Sequence, residues 1–339
     1  MIKETTKTQR MIMMGVAILG GIYLMAFAPT QAMTTLKISL DQAFTRLIPY
    51  DADFYPAVPV LTTTYSAWIV LFVFAGSFAL LLSKKLLQGA HWARATVLGL
   101  FAAPAVAGMT MVIPWFVLVL AEYPEKGVPT ATISGMPTAM PILFISLAIY
   151  YVILFADQDT IKHKFQKFVP FTLMGVISGM VFMNAQHGVR YFIHIPGNFM
   201  KNAEGLIVGN PNPPPITSPL AHFITNLDHL DWLTFEPLAA QTNSPQTLAL
   251  LLGGFMLYVS SVLLIIAIPM MAMKKKAGWY IATSTALATA FVSVQGFVVR
   301  NSMEWLQGGM LSLLLFVVLM LPVFKKFFLA EGDEWYKIR

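Results

Sequence analysis

Apolar residues run through this chain in long blocks separated by short polar stretches, instead of recurring every second position as on a half-buried strand. Eight blocks approach or exceed the roughly 20 residues needed to cross a bilayer core: 11–28, 65–82, 95–121, 136–156, 168–186, 247–272, 278–299 and 303–324. Lipid cannot satisfy free backbone N–H and C=O groups, so each block is predicted to be helical. Pro104 and Pro114 fall inside the third block and predict a kink there. The expected fold class is an all-α polytopic membrane protein with about eight transmembrane helices.

Composition agrees: 57% of residues are hydrophobic and 11% charged, against about 25% charged in soluble domains. The chain has no cysteine, which excludes disulfides, thiolate metal sites and cysteine nucleophiles. Charge then sets orientation. With the N-terminus in the cytoplasm, 16 of the 22 basic residues lie in inner segments; Lys37, Arg46, Lys126, Arg190, Lys201 and Arg300 lie outside. That bias follows the positive-inside rule at every loop and predicts a prokaryotic inner (plasma) membrane protein with both termini cytoplasmic. The net charge of +6 is thus a topology signal and calls for no nucleic-acid partner. A cleaved signal peptide, ending near Ala32, is the competing expectation for the first block.

Outer connections alternate long, short, long, short, which suggests two four-helix halves, 1–156 and 157–339, the second containing the outer loop 187–246. KKLLQGAHWARATVLG before the third block and KKKAGWYIATSTALA before the seventh echo one another, as in a parallel repeat. Trp68, Trp115, Trp232 and Trp305 fall near the outer boundary and Trp92, Trp279 and Trp335 near the inner one, where interfacial anchors are expected. In the long loop, GNPNPPPITSP predicts an extended strap, and 220–235 has the spacing of a surface helix.

Candidate chemistry gathers at NAQHGVRYFIH, 184–194. If the fifth helix continues outward, Met180, Met183, His187, Arg190 and His194 share one face. Imidazole is the commonest metal ligand and thioether favours cuprous copper, so His187 and His194 with His222 or His229 form a candidate copper or haem site. His187, Arg190, His194, Arg300 and Glu304 form a candidate quinol or anion pocket at headgroup depth. For each cluster the plainer alternative is an interfacial histidine bonded to loop or headgroup, or an Arg300–Glu304 pair one turn apart.

No Asp, Glu, Lys or Arg falls mid-span, which argues against proton relays and ion paths. Thr285, Thr289 and Ser293 share one face of the seventh helix, and GVISG, 175–179, is a small-residue packing motif in the fifth. Two expectations follow. The first is a membrane subunit of a larger prokaryotic energy-converting or redox complex, its outer loop docking other membrane or outer-face subunits and its outer site taking quinol or metal. It would be an accessory, non-catalytic subunit more readily than a stand-alone enzyme. The alternative is a self-contained transporter or channel for a small neutral or hydrophobic solute, with a cavity lined by the sixth and seventh helices.

Overall fold

A computed structural model describes residues 5–51, 54, 57–189, 199–201, 207–209, 245–300 and 303–329. They form ten α-helices: α1 (Lys7–Ala26), α2 (Ala28–Gln42), α3 (Ala57–Leu87), α4 (His91–Trp115), α5 (Met140–Phe155), α6 (Ile161–Val189), α7 (Pro245–Ala272), α8 (Lys276–Arg300), α9 (Met303–Met320) and α10 (Pro322–Leu329). A two-stranded antiparallel hairpin pairs Phe199–Lys201 with Ile207–Gly209. Among the described residues six helices are long and apolar enough to cross a membrane, seven if α9 and α10, bent by 69°, count as one span; α5 is apolar but has only 16 residues.

Helix α1 starts from a capping box, in which the Thr6 hydroxyl accepts from the Gln9 N–H at 3.1 Å and the Gln9 side chain accepts from the Thr6 N–H at 2.8 Å. It crosses α3 at a point where only glycine fits: a Cβ on Gly76 would stand 2.6 Å from the Gly21 carbonyl oxygen. Helices α1, α3, α4 and α5 pack in a ring, each on the next and α5 back on α1; α6, α7, α8 and α9 form a second ring in the same way. The rings meet along α4, which packs on both α6 and α7. Accordingly 72% of the α4 apolar window is buried, the largest share of any span.

Several expectations change. The first outer connection is not an open loop, because the chain continues from α1 into α2 with only Phe27 between them, and α2 lies across α3 and α4. Its buried residues Ala32, Thr35, Leu36 and Ser39 recur at helical spacing, so the segment is amphipathic and folds down on the bundle. Pro114 lies just ahead of a π-helical turn at Phe116–Leu120, the local adjustment that accompanies its missing donor. The tryptophans also differ from a belt. Trp68, Trp115, Trp279 and Trp305 are buried inside the protein: the Trp115 indole donates to the Gly135 carbonyl and that of Trp279 to the Leu319 carbonyl. Of the described tryptophans only Trp92, at 39%, is exposed; Trp232 and Trp335 lie outside the described residues.

The α3–α4 and α7–α8 turns carry the same backbone pattern. Gly89 and Lys274 each donate to the carbonyl three residues back and each has positive φ, while Ala90 and Lys275 reach five back. Trp92 follows Gly89 by three residues and Trp279 follows Lys274 by five, so the sequence echo is out of register with the backbone echo.

Candidate functional site

Three cavities follow one another along the seam where α4 meets α6. The first opens at the end of the bundle that holds the α3–α4, α5–α6 and α7–α8 turns, here termed the basic end. It encloses about 710 Å³, counting its mouth, between α4, the end of α5, the start of α6, the end of α7 and α10. The second, about 490 Å³, is apolar and lies between α4, α5 and α6; Phe171 lines both. The third, about 590 Å³, is at the far end, where Phe54, Ala57, Val60 and Leu61 face Pro114 of α4, Val117 and Leu118 of the π-helical turn that follows it, and Met183, Gln186 and His187 of α6.

An ion network shapes the basic-end cavity. Arg94 donates to the Ile153 and Leu154 carbonyls at 3.0 and 2.9 Å, satisfying the last turn of α5, and to Asp157 at 2.9 Å. Lys167 bridges Asp157 and Asp159 at 2.5 and 2.6 Å, and His163 sits 3.9 Å from Asp159. Asp157 is buried, and burial by itself would raise its pKa; the charges and hydrogen bonds of Arg94 and Lys167 outweigh that and hold it below the ordinary carboxylate value. His91 and Lys274 complete the charged lining, with Lys274 Nζ 4.7 Å above the Phe327 ring.

Deeper in the seam polarity falls away. The Tyr151 hydroxyl pairs with that of Thr172 at 2.9 Å, whereas Tyr150, which also lines the middle cavity, buries a hydroxyl that has no hydrogen-bond partner. Between the middle and far-end cavities Met109 packs directly on Gly179. At the far end the Gln186 amide donates to the Thr64 hydroxyl at 3.4 Å.

Arg46 is the other buried cation. It donates to the carbonyls of Pro129, Leu118, Val119 and Ala121 at 2.8, 3.4, 3.0 and 2.5 Å, closing the π-helical end of α4, with Glu122 at 3.9 Å. Nearby, Lys126 pairs with Asp51.

Of the candidate quinol or anion set, only the His187 side chain is described, and it lines the far-end cavity with Met183 on the same helix face. Arg300 ends α8 and Glu304 stands in the first turn of α9, while Arg190 and His194 lie outside the described residues. Of the candidate metal set His194, His222 and His229 also lie outside them, and among the described residues no group of three or more His, Asp or Glu could hold a metal ion. The hydroxyl stripe on α8 lines none of the three cavities: Thr285, Thr289 and Ser293 are buried, and Ser293 packs on Gly308 and Gly309 of α9.

No family model, curated protein or solved structure matches this chain.

The basic-end network was not expected as a site. Its signal is in ADQDTIKHKFQK, where Asp157 and Asp159 stand among basic residues at an end otherwise poor in carboxylates. The seam itself carries no such signal, because its walls are alanine, leucine and methionine like the rest of the spans.

Proposed function

We propose that this chain is a multi-pass membrane protein that carries a hydrophobic or amphiphilic small molecule along the seam between its two rings of four helices. The observation that carries this reading is the row of three cavities, each lined by both α4 and α6, from His163 at one end to His187 at the other. At 1.5 Å per residue that stretch of α6 spans about 36 Å, the full hydrocarbon thickness. Among the residues that line the three cavities, Asp, Lys and Arg stand only at the basic end, so the interior suits a molecule with an apolar body and not a bare ion. The path lies along the third and fifth spans; the sixth adds Ile268, Met271 and Ala272 to its wall, and the seventh lines none of the three cavities.

In this reading α5 is an eighth span, its 16 residues reaching about 24 Å, and the basic end faces the cytoplasm of a prokaryotic cell. The test is transfer of a fluorescent amphiphile between leaflets of liposomes containing the purified chain. Transfer faster than in protein-free liposomes is expected; an equal rate rejects the transport reading.

A second reading keeps the chain as a membrane subunit of a larger redox assembly that handles quinol at the far end and docks partners through the outer loop 187–246. It is favoured by one observation: His187, a titratable group, and Gln186 stand at the edge of an otherwise apolar cavity. Copper or haem at the same end belongs to this reading. Mild extraction from native membranes, followed by mass spectrometry of co-migrating chains, tests it; redox subunits travelling with this chain support it, and a lone chain or homo-oligomer rejects it.

A further inference from the structure

Helix α10 is set apart by the way it is attached. It follows α9 through Leu321 alone and is bent 69° from it, at a point where Pro322 brings no N–H to continue the ladder. On its inner face Phe324 and Phe328, one turn apart, are buried, while Val323, Lys325 and Lys326 on the other face are exposed. A single hydrogen bond from α6 reaches its backbone: the Gln166 side-chain N–H donates to the Val323 carbonyl at 3.0 Å. The remaining hold is aromatic, with the Phe327 ring 5.3 Å from that of His163.

This short helix also walls the basic-end cavity. Phe327 and Phe328 line it, and the Phe328 ring packs on that of Phe171 with centroids 5.8 Å apart. Phe171 lines both the basic-end and the middle cavity, so it stands where one leads into the other. Through Phe328, then, α10 touches both the mouth of the seam and its first constriction. The closed position has a cost as well. The Gln166 Oε1 is buried with no hydrogen-bond partner in the protein. A buried acceptor left in that state costs free energy, which water returns once the helix lifts.

We propose that α10 is a lid hinged at Leu321 and Pro322, and that lifting it withdraws Phe328 from Phe171. Opening the basic-end cavity to water and joining it to the middle cavity are then one movement. The lid takes its purpose from the reading of the seam as a path for an amphiphile and rests on that reading to that extent, but its movement requires no transfer across the membrane.

The chain has no cysteine, so single reporters in the full chain, held in nanodiscs, can be labelled with a charged, water-soluble maleimide. Ala95→Cys reports on the basic-end cavity and Ala105→Cys on the middle one; Ala286→Cys, buried on α8 and lining none of the cavities, reports general loosening. Gln166→Leu removes the tether and alters no side chain that lines a cavity. It should raise labelling of both cavity reporters together by about fivefold, the effect of one net hydrogen bond on a two-state equilibrium, and leave the α8 control unchanged. Unchanged labelling of the cavity reporters overturns the proposal. So does a rise at the basic-end reporter alone, which leaves Phe171 out of the movement, and so does an equal rise in the control, which is loosening of the whole bundle. Leaflet transfer is read separately: labelling that responds as expected in a protein that transfers no amphiphile keeps the lid and removes only the transport reading.

Discussion

Met109 and Gly179 close the seam between the middle and far-end cavities: a Cβ on Gly179 would stand 2.5 Å from the Met109 Sδ. The atom in the way is near the end of a flexible side chain, so Gly179→Ala can be accommodated by moving Met109 aside, toward the cavity it lines. Gly179→Ala should therefore slow amphiphile transfer, and Met109→Ala should speed it. Opposite signs in the liposome assay are the expected result, because simple destabilisation would move both variants the same way.

Ser178 and Ser261 lock α6 to α7 in the middle of the second ring. The Ser261 hydroxyl donates to the Ser178 carbonyl at 2.9 Å, while that of Ser178 splits its proton between its own-helix Met174 carbonyl at 2.7 Å and the Ser261 carbonyl at 3.3 Å. Interhelical bonds of this kind contribute about 0.6 kcal/mol on average. Ser261→Ala should lose about that much in unfolding measurements in bicelles or detergent, and Ser178→Ala less. The two losses should add, because each hydroxyl uses the other residue's carbonyl and not its side chain.

Asp157 sets the acid limit of the basic end. Its folded pKa lies below the value near 3.8 of an unperturbed aspartate. Its contribution to stability is therefore complete above that unfolded value and is lost as pH falls through the folded one. Thermal midpoints should be insensitive to this group between about pH 5 and pH 7 and should fall below about pH 4. Asp157→Asn should cost about 3 kcal/mol at neutral pH, at the low end for a stranded buried partner, since Lys167 keeps Asp159 and Arg94 keeps two carbonyls. It should also flatten the acid limb.

How much of this was legible in the sequence depends on which force writes each feature. The apolar helices are legible because bilayer thickness imposes their length residue by residue, and the α2 segment was missed because, apart from Leu36, Ala28–Gln42 buries only small or polar residues. Proline and basic residues announced the turns and the basic end. The cavities could not be read: they arise where two helix surfaces fail to fill space, and Met109 against Gly179 looks no different in sequence from any other methionine and glycine in the spans. Trp68 and Trp305 misled for the same reason. An indole near a block boundary is as good a packing piece as an anchor, and only the neighbours, Phe182 for Trp68 and Gly296 for Trp305, decide.

Arg46 supplies a last prediction, because it holds the far end together through carbonyls and not through a carboxylate. It is 5% exposed and reaches four carbonyl oxygens from three nitrogens of one planar fork. Lysine has the charge but only three N–H donors on one nitrogen, so Arg46→Lys must leave at least one of the four carbonyls without a donor. At roughly 1.5 kcal/mol for a hydrogen bond to a charged group, the substitution should cost at least about 1.5 kcal/mol. The loss should be local first: hydrogen exchange at 116–131 should accelerate before the rest of the bundle. The ion pair with Glu122 contributes little by comparison, since that carboxylate is 49% exposed and 3.9 Å away. Glu122→Gln should therefore shift stability by less than about 1 kcal/mol. If Glu122→Gln matched Arg46→Lys in cost, charge pairing and not carbonyl capping would be the role of Arg46.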